Sequence, residues 1–181
     1  NKTIVSQLQA NGCNAIGLSG ADGNTIQSHK RLIKELDYGF AGDVDEVNTE
    51  FLESLLRKGM TPVLSPVTHD KKGQLLNTNA DTIAQETAKA LASSFDVSLI
   101  YSFEKAGVLL DAHDEGSVIK RIDKVKYAEL KEKNLVFAGM IPKLDNAFAA
   151  LEKGVGKVVI GNAGKLDLLI TGQAGTTIIN E

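Results

Sequence analysis

Short β-like runs alternate with helical segments along most of the chain, and this order of elements restricts the possible folds more than any other feature. Residues 97–101 form the most strongly β-like run, and residues 141–151 carry apolar side chains at helical spacing. Helices of about 10–15 residues between strands are typical of the crossovers that join parallel strands. The sequence therefore predicts an α/β fold built around a mainly parallel sheet.

The same patterns place the individual elements. Strands are predicted at residues 14–18, 61–67, 74–76, 97–101, 158–160 and 176–179, and hairpins within residues 25–47. Helices are predicted before Gly12, from Phe51 to Gly59, from a capping box at Thr82 to Ala92, from Asp123 to about Lys133, from Ile141 to Gly154 and at residues 166–170.

Charge and cysteine content exclude several classes of protein. The 20 basic and 23 acidic residues give a net charge of −3 without long runs of one sign, so a nucleic-acid partner is not expected. No run approaches the roughly 20 apolar residues that cross a bilayer, so a membrane partner is not expected either. The single cysteine, Cys13, excludes an internal disulfide and suits a reducing cytosol.

The segment Asn77-Thr78-Asn79-Ala80-Asp81 ends a predicted strand and precedes a predicted helix. If it is extended, Asn77, Asn79 and Asp81 share one face, because side chains two residues apart point the same way. Two carboxamides there would suit a ligand that carries an amide and carboxylates. The alternative is that these residues are ordinary turn formers and helix caps.

Lys143 lies at the start of a predicted helix, directly after Pro142, which a first helical turn tolerates. A cation is unfavourable there because the helix amino terminus already carries positive partial charge. Its presence makes sense if an anion such as phosphate binds opposite, although a solvated surface lysine is the alternative. The loop at residues 101–109, with Glu104 and Gly107, could approach a nucleotide or be an ordinary turn.

Other candidate residues do not form a recognisable site. His29, His69 and His113 are isolated in the sequence and lack metal-ligand spacing, so a zinc site is not expected. Cys13 has no histidine nearby in sequence and is expected to be a small core residue rather than a nucleophile. The chain contains neither a Walker A loop nor a nucleophile elbow.

These segments, in this order and spacing, resemble the N-acetylglutamate kinases of the amino-acid kinase superfamily. The resemblance begins at Asn1 and covers essentially the whole chain. Its specific parts are the Asn-x-Asn-Ala-Asp of residues 77–81 and the Gly-Met-x-x-Lys of residues 139–143. It implies a three-layer α/β/α sandwich, with residues 1–95 as the remainder of an acylglutamate-binding lobe and residues 96–181 as a nucleotide-binding lobe.

The resemblance also implies roles for individual residues. Asn77 and Asn79 would bind the acylated amino acid. Asp81 would orient the catalytic lysines, of which Lys143 is one. The implied nucleotide-binding residues are Glu104, Lys105, Ala106, Gly107, Val108, Leu109, Leu135, Val136 and Phe137. The chain departs from the family at Glu104, where many members have Asp, and at Phe103, where a small residue is common.

The activity implied by the resemblance is ATP-dependent phosphorylation of the side-chain carboxylate of N-acetyl-L-glutamate in arginine biosynthesis. The expected protein is a cytoplasmic homodimer or larger homo-oligomer that has no metal site of its own, Mg²⁺ arriving with ATP. The family normally has an earlier segment with a lysine-glycine phosphate loop, a glycine-rich substrate loop and a substrate-binding arginine. That amino-terminal segment is expected to be missing here, since none of these features precedes Asn1.

Two alternatives remain open from the sequence. The first keeps the fold and changes the substrate to N-succinyl-L-glutamate. The second is a non-catalytic ligand-binding or regulatory domain with the same fold, although Asp81 and Lys143 are both present. The sequence leaves open the acyl group, arginine feedback inhibition and the oligomeric state.

Overall fold

The computed structural model describes residues 1–33, 36–111, 113–133, 135–136 and 138–180. The chain divides into two units, Asn1–Ala90 and Leu91–Glu181. The predicted boundary at residues 95 and 96 lies five residues later than this division, and the roles assigned to the two lobes stay a prediction.

The first unit contains helices, paired strands and a short 3-10 turn at Asp22–Asn24. Its elements in chain order are α1 (Lys2–Ala10), β1 (Ala15–Leu18), β2 (Ile26–Ile33), β3 (Leu36–Val47), α2 (Thr49–Arg57), β4 (Thr61–Leu64), β5 (Val67–His69), β6 (Leu75–Asn77) and α3 (Ala80–Leu91). β1 and β4 form a parallel pair, which α1 contacts at β1 and α2 contacts at β4.

The remaining four strands of the first unit form a closed ring in the order β2-β3-β6-β5. β2 and β3 pair antiparallel, as the predicted hairpin requires. Two buried threonines face each other inside the ring, and the hydroxyl oxygens of Thr68 and Thr78 lie 2.8 Å apart. Each hydroxyl therefore has a partner, which makes its burial acceptable.

The second unit is built on a four-stranded sheet in the order β7-β9-β10-β8. Its elements are β7 (Ser98–Phe103), β8 (Arg121–Ile122), α4 (Lys124–Glu132), α5 (Ile141–Glu152), β9 (Lys157–Asn162), α6 (Leu166–Thr171) and β10 (Thr176–Ile178), with 3-10 turns at Ala138–Met140 and Ala163–Lys165. β7 and β9 are parallel, β8 and β10 are parallel, and β9 and β10 are antiparallel. Contacts of α5 and α6 with β9 bury the centre of this sheet.

Local sequence rules placed most of these elements correctly, and the predicted α/β class is confirmed. The cap predicted at Asp123 is present, because its carboxylate accepts a hydrogen bond of 2.7 Å from the N–H of Lys126. Within the helices that the structure describes, none combines the length and the apolar character needed to cross a bilayer.

Two predictions about element boundaries were wrong. The strand expected over residues 61–67 is divided into β4 and β5, because β4 pairs with β1 whereas β5 pairs with β2 and β6. The capping box expected at Thr82 does not start α3, which begins at Ala80 after a cap by Asn79. The Asn79 carboxamide oxygen accepts hydrogen bonds from the N–H groups of Asp81 at 2.8 Å and Thr82 at 3.3 Å.

Candidate functional site

A cavity of about 470 Å³ opens in the second unit at the carboxyl end of β7. Its volume is within the range of sites that bind small molecules. The wall is mostly apolar and contains a few charged side chains. The lining residues are Phe103, Glu104, Lys105, Gly107, Val108, Leu109, His113, Gly139, Met140 and Lys143.

The loop that follows β7 forms one side of the cavity and is held at three points. The Asn162 carboxamide donates a hydrogen bond of 2.6 Å to the carbonyl of Glu104. The N–H of Ala106 donates to Glu115 Oε2 at 3.0 Å, and the N–H of Val108 donates to Thr176 Oγ1 at 2.8 Å. These bonds attach the loop to β9, to a later turn and to β10.

Glu115 holds the loop through an ion pair as well as through the hydrogen bond that it accepts. Its carboxylate lies 3.2 Å from the ammonium of Lys105. The hydrogen bond from the Ala106 N–H lowers the pKa of Glu115, and the Lys105 ammonium lowers it further. The carboxylate therefore stays ionised near neutral pH and keeps both contacts there.

Lys143 lines the cavity from the amino end of α5 rather than from the loop that follows β7. It lies in the first turn of that helix, which has proline at its start. Its ammonium lies 5.4 Å from the centre of the Tyr101 ring, which belongs to β7. A helix amino terminus with a lysine beside it is suited to an anion, because the exposed N–H groups and the ammonium are both positive.

The residues predicted for nucleotide binding divide into three groups. Glu104, Lys105, Gly107, Val108 and Leu109 lie on the cavity wall together with Lys143. Ala106 lies in the same loop, where its N–H is bound to Glu115, but it does not line the cavity, and neither do Leu135 and Val136. Phe137 lies outside the described residues. Their nucleotide contacts stay a prediction.

The sequence gives no site role to His113, which stands there only as an isolated histidine, yet His113 lines the cavity. Phe103 lines it too and belongs to the loop of residues 101–109 that could approach a nucleotide. His113 belongs to a turn that returns toward the loop through the bridge between Leu109 and Val118. The short spacing between Gly107 and Gly116, with Asp111 and Asp114 between them, was a hairpin-like pattern that could have indicated this return.

The second candidate segment lies in the first unit, at the end of β6. Asn77 pairs with Ala41 of β3 and with Val67 of β5. Asn77 and Asn79 are exposed, whereas Thr78 between them is buried, so the two asparagines share the outer face as predicted. Asp81 does not continue this face, because α3 has already begun at Ala80. The expectation that the extended backbone would align Asp81 with the asparagines was wrong.

The cavity wall combines charged side chains with apolar surface. Within the described part of the chain, no group of three or more His, Cys, Asp and Glu side chains could hold a metal ion. Lys143 and a helix amino terminus contribute positive charge, Lys105 is paired with Glu115, Glu104 contributes negative charge, and Val108, Leu109 and Met140 contribute apolar surface. Such a wall can hold a molecule with a flat apolar part and a phosphate chain.

Comparison with known proteins identifies close relatives. The chain is 58% identical over 160 residues to the acetylglutamate kinase of Phocaeicola vulgatus, an alignment that covers 88% of this chain and 62% of that protein. It is 54% identical over 166 residues to the acetylglutamate kinase of Parabacteroides distasonis, covering 92% of this chain and 65% of that protein. The chain thus spans less than two thirds of these curated relatives.

Solved structures show the same fold. The crystal structure of smu.665 from Streptococcus mutans UA159 matches with a TM-score of 0.79 and 30% identity, over 99% of this chain and 66% of that chain. An N-acetylglutamate synthase from Neisseria gonorrhoeae, complexed with coenzyme A and N-acetyl-glutamate, matches with a TM-score of 0.81 and 23% identity, over 99% of this chain and 42% of that chain. The model of the amino acid kinase family matches residues 1–162, and the chain therefore belongs to the amino acid kinase family.

Proposed function

We propose that the protein containing this chain is an ATP-dependent acylglutamate kinase of arginine biosynthesis. Its substrate is N-acetyl-L-glutamate, and its product is N-acetylglutamyl 5-phosphate. The observation that carries the proposal is the 58% identity over 160 residues to a protein named acetylglutamate kinase. The proposal concerns the whole protein, since the chain spans 62% of that relative.

ATP is assigned to the cavity of the second unit. Lys143 and the amino terminus of α5 favour the phosphate chain, Lys105 adds an ammonium that is shared with Glu115, and Val108 and Leu109 offer apolar contact to the base. Since the described residues contain no metal-binding cluster of their own, Mg²⁺ is assigned to the nucleotide phosphates. When bound, Mg²⁺ neutralises phosphate charge, and the protein supplies the remaining positive groups.

The reaction needs positive charge and alignment more than proton transfer. A glutamyl carboxylate has a pKa of roughly 4.3, so it is already ionised near neutral pH and requires no general base. One of its oxygens forms a bond to the γ-phosphorus, while the bond from that phosphorus to the bridging oxygen breaks and ADP leaves with the electron pair. Lys143 is assigned to stabilise the negative charge of the transferring phosphoryl group.

The acylglutamate is assigned to Asn77, the last residue of β6, and to Asn79, which follows that strand. Asn77 is exposed at the strand end and offers both a donor and an acceptor. The carboxamide oxygen of Asn79 is used as the cap of α3, so its NH₂ group is the part assigned to the substrate. Capping and substrate binding are therefore compatible at Asn79. Asp81 keeps the catalytic role that the family resemblance implies.

The proposal is tested by coupled ADP release from the whole protein, with N-acetylglutamate and N-succinylglutamate compared side by side. We expect turnover with N-acetylglutamate and its loss when EDTA removes Mg²⁺. A higher kcat/KM with N-succinylglutamate than with N-acetylglutamate would instead identify N-succinylglutamate as the substrate. No ADP release with either compound, from protein that melts cooperatively, would contradict the kinase proposal and favour a non-catalytic binding domain.

Asn77→Ala is expected to raise the KM for the acylglutamate by about 5- to 100-fold, because it removes a carboxamide that pairs with a polar substrate. The KM for ATP should change by less than about twofold, since the residue belongs to the first unit and not to the cavity wall. Steady-state kinetics with each substrate varied in turn measures both values. Asn11→Ala, which removes an exposed asparagine at the end of α1, is the control. An equal rise in the KM for the acylglutamate and the KM for ATP would show that Asn77 does not bind the acylglutamate specifically.

Location and assembly belong to the same proposal. We assign the protein to the cytoplasm, where ATP and a reduced Cys13 are expected together. A homodimer or larger homo-oligomer is expected from the family resemblance, and light scattering of the whole protein measures it.

A further inference from the structure

Tyr101 lies beneath the ammonium of Lys143, a residue of the cavity wall. Its ring centre is 5.4 Å from Lys143 Nζ. Tyr101 is 4% exposed and stands opposite Ile160, a fully buried residue of the neighbouring strand β9. The ring is therefore held by the sheet, and two residues later the same strand ends at Phe103, on the cavity wall.

The ring stabilises the position of Lys143 against two effects. The side chain has four rotatable bonds, so the ammonium can sample many positions unless contacts restrict it. It also lies in the first turn of α5, where the helix dipole disfavours a cation. The face of an aromatic ring carries negative charge and attracts an ammonium that lies within about 6 Å of its centre. A ring fixed on a strand thus opposes both effects at once.

We propose that Tyr101 is a positioning residue of Lys143, and that its ring helps to hold the ammonium where the transferring phosphoryl group develops charge. The inference rests on the proposed function, since that function assigns Lys143 to catalysis. Tyr101 acts through Lys143 and contributes its ring rather than its hydroxyl. Loss of the ring should then reduce transition-state stabilisation and leave substrate binding almost unchanged.

The same unit contains a matched pair away from the cavity. Lys131 Nζ lies 5.1 Å from the centre of the Tyr127 ring. Tyr127 stacks on Phe148 at 5.2 Å and donates a hydrogen bond of 2.7 Å to Asp145. Neither Tyr127 nor Lys131 lines the cavity. Replacement of Tyr127 therefore measures how the loss of a buried tyrosine changes stability when no cavity residue is affected.

The test compares Tyr101→Leu, Tyr101→Phe and Tyr127→Leu in the whole protein. Tyr101→Leu is expected to lower kcat by about 3- to 30-fold, with the KM for ATP changed by less than about twofold. Tyr101→Phe keeps the ring and should retain kcat close to that of the unmodified protein. Tyr127→Leu should lower the melting temperature without lowering kcat when the assay is run well below that temperature. Equal losses of kcat in Tyr101→Phe and Tyr101→Leu would overturn the proposal.

A double-mutant cycle with Lys143→Met separates positioning from a general structural effect. If the ring acts through the ammonium, Tyr101→Leu causes no further loss of kcat once Lys143 has been replaced. Equal losses in the presence and absence of Lys143 would show that the ring supports the fold instead, and would contradict the inference. The cycle is read from kcat at saturating concentrations of both substrates.

Two further measurements cover the cases in which a variant or the proposed function fails. If Tyr101→Leu does not fold, phenylalanines with increasing fluorination at position 101 keep the ring shape and weaken its negative face, so kcat should fall stepwise. If the protein shows no kinase activity at all, the proposed function fails, and NMR still measures the contact. The Lys143 Hε resonances should be shifted upfield by the ring, and the shift should vanish on loss of Tyr101. Unshifted Hε resonances in the unmodified protein would refute the positioning role.

Discussion

Lys143→Met is expected to lower kcat of the proposed kinase reaction by about 100- to 1,000-fold, the effect of removing one group that stabilises developing charge in a transition state. Methionine keeps most of the length and apolar contact of the lysine stem, so the change removes little besides the ammonium. The KM for the acylglutamate should change far less than kcat, because the positive charge is needed most in the transition state. Steady-state ADP release from the whole protein measures both constants.

The fold should survive this change. Lys143 is half-buried on the first turn of α5, where a cation is unfavourable, so its replacement removes no large stabilising contribution. Melting temperatures of the two proteins are expected to agree closely. Lys153→Met, at the opposite end of the same helix and exposed, is the matched control and should keep normal kcat. A kcat for Lys143→Met within about threefold of that control would remove Lys143 from the mechanism.

Local chemistry made much of the fold predictable. Asp123 caps α4, and Pro142 stands at the start of α5, because a side-chain acceptor and a missing N–H act within a single helical turn. The hairpin of β2 and β3 was also predictable, since its two strands are neighbours in the chain. Features that depend on three or four consecutive residues could therefore be located from the sequence.

Pairing between distant segments could not be predicted in the same way. The ring of β2, β3, β6 and β5 requires Ala41 to lie beside Asn77, and no local pattern encodes that register. His113 is a different case, because the bridge from Leu109 to Val118 that brings its turn to the cavity wall joins neighbouring segments, and the pattern between Gly107 and Gly116 could have indicated it. The predicted alignment of Asp81 with the asparagines was wrong for another reason. It assumed an extended backbone over residues 77–81, but the cap at Asn79 starts a helix there.

The loop at residues 104–109 and Lys143 were singled out separately, and the structure brings most of that loop and Lys143 to one cavity. The residues that hold this loop and Lys143 in place could not be predicted from the sequence. Thr176 and Asn162 hold the loop from β10 and β9, and Tyr101 lies under the lysine. These supporting residues carry no recognisable motif, because an ordinary side chain suffices once the sheet has placed it correctly.

Gly175→Ala is expected to lower the free energy of unfolding by about 2–4 kcal/mol, the sum of a left-handed backbone and a steric clash. Gly175 has a φ of 78°, a conformation that side chains other than glycine rarely adopt. A Cβ added there would lie 2.6 Å from the carbonyl oxygen of Ile160 and 2.7 Å from Leu169 Cδ2. Both neighbours are fully buried, so neither can move aside cheaply.

Gly172→Ala supplies the matched control for this prediction. Gly172 has a similar φ of 74° at the end of α6, but an added Cβ would meet nothing within 4 Å. Its replacement should cost only the left-handed conformation, about 1–2 kcal/mol. Urea unfolding of both variants, followed by circular dichroism, gives the difference that belongs to the clash alone. Equal losses in the two variants would mean that the turn at Gly175 relaxes away from β9.

Gly175→Ala should also alter the cavity, because Gly175 precedes Thr176, which holds the loop on the cavity wall. Thr176 Oγ1 accepts the hydrogen bond of 2.8 Å from the N–H of Val108. A shift of the turn at residue 175 therefore moves the loop assigned to ATP, and the KM for ATP should rise in Gly175→Ala but not in Gly172→Ala. An unchanged KM for ATP in a destabilised Gly175→Ala protein would show that the loop keeps its shape without this anchor, and that Glu115 and Asn162 suffice to hold it.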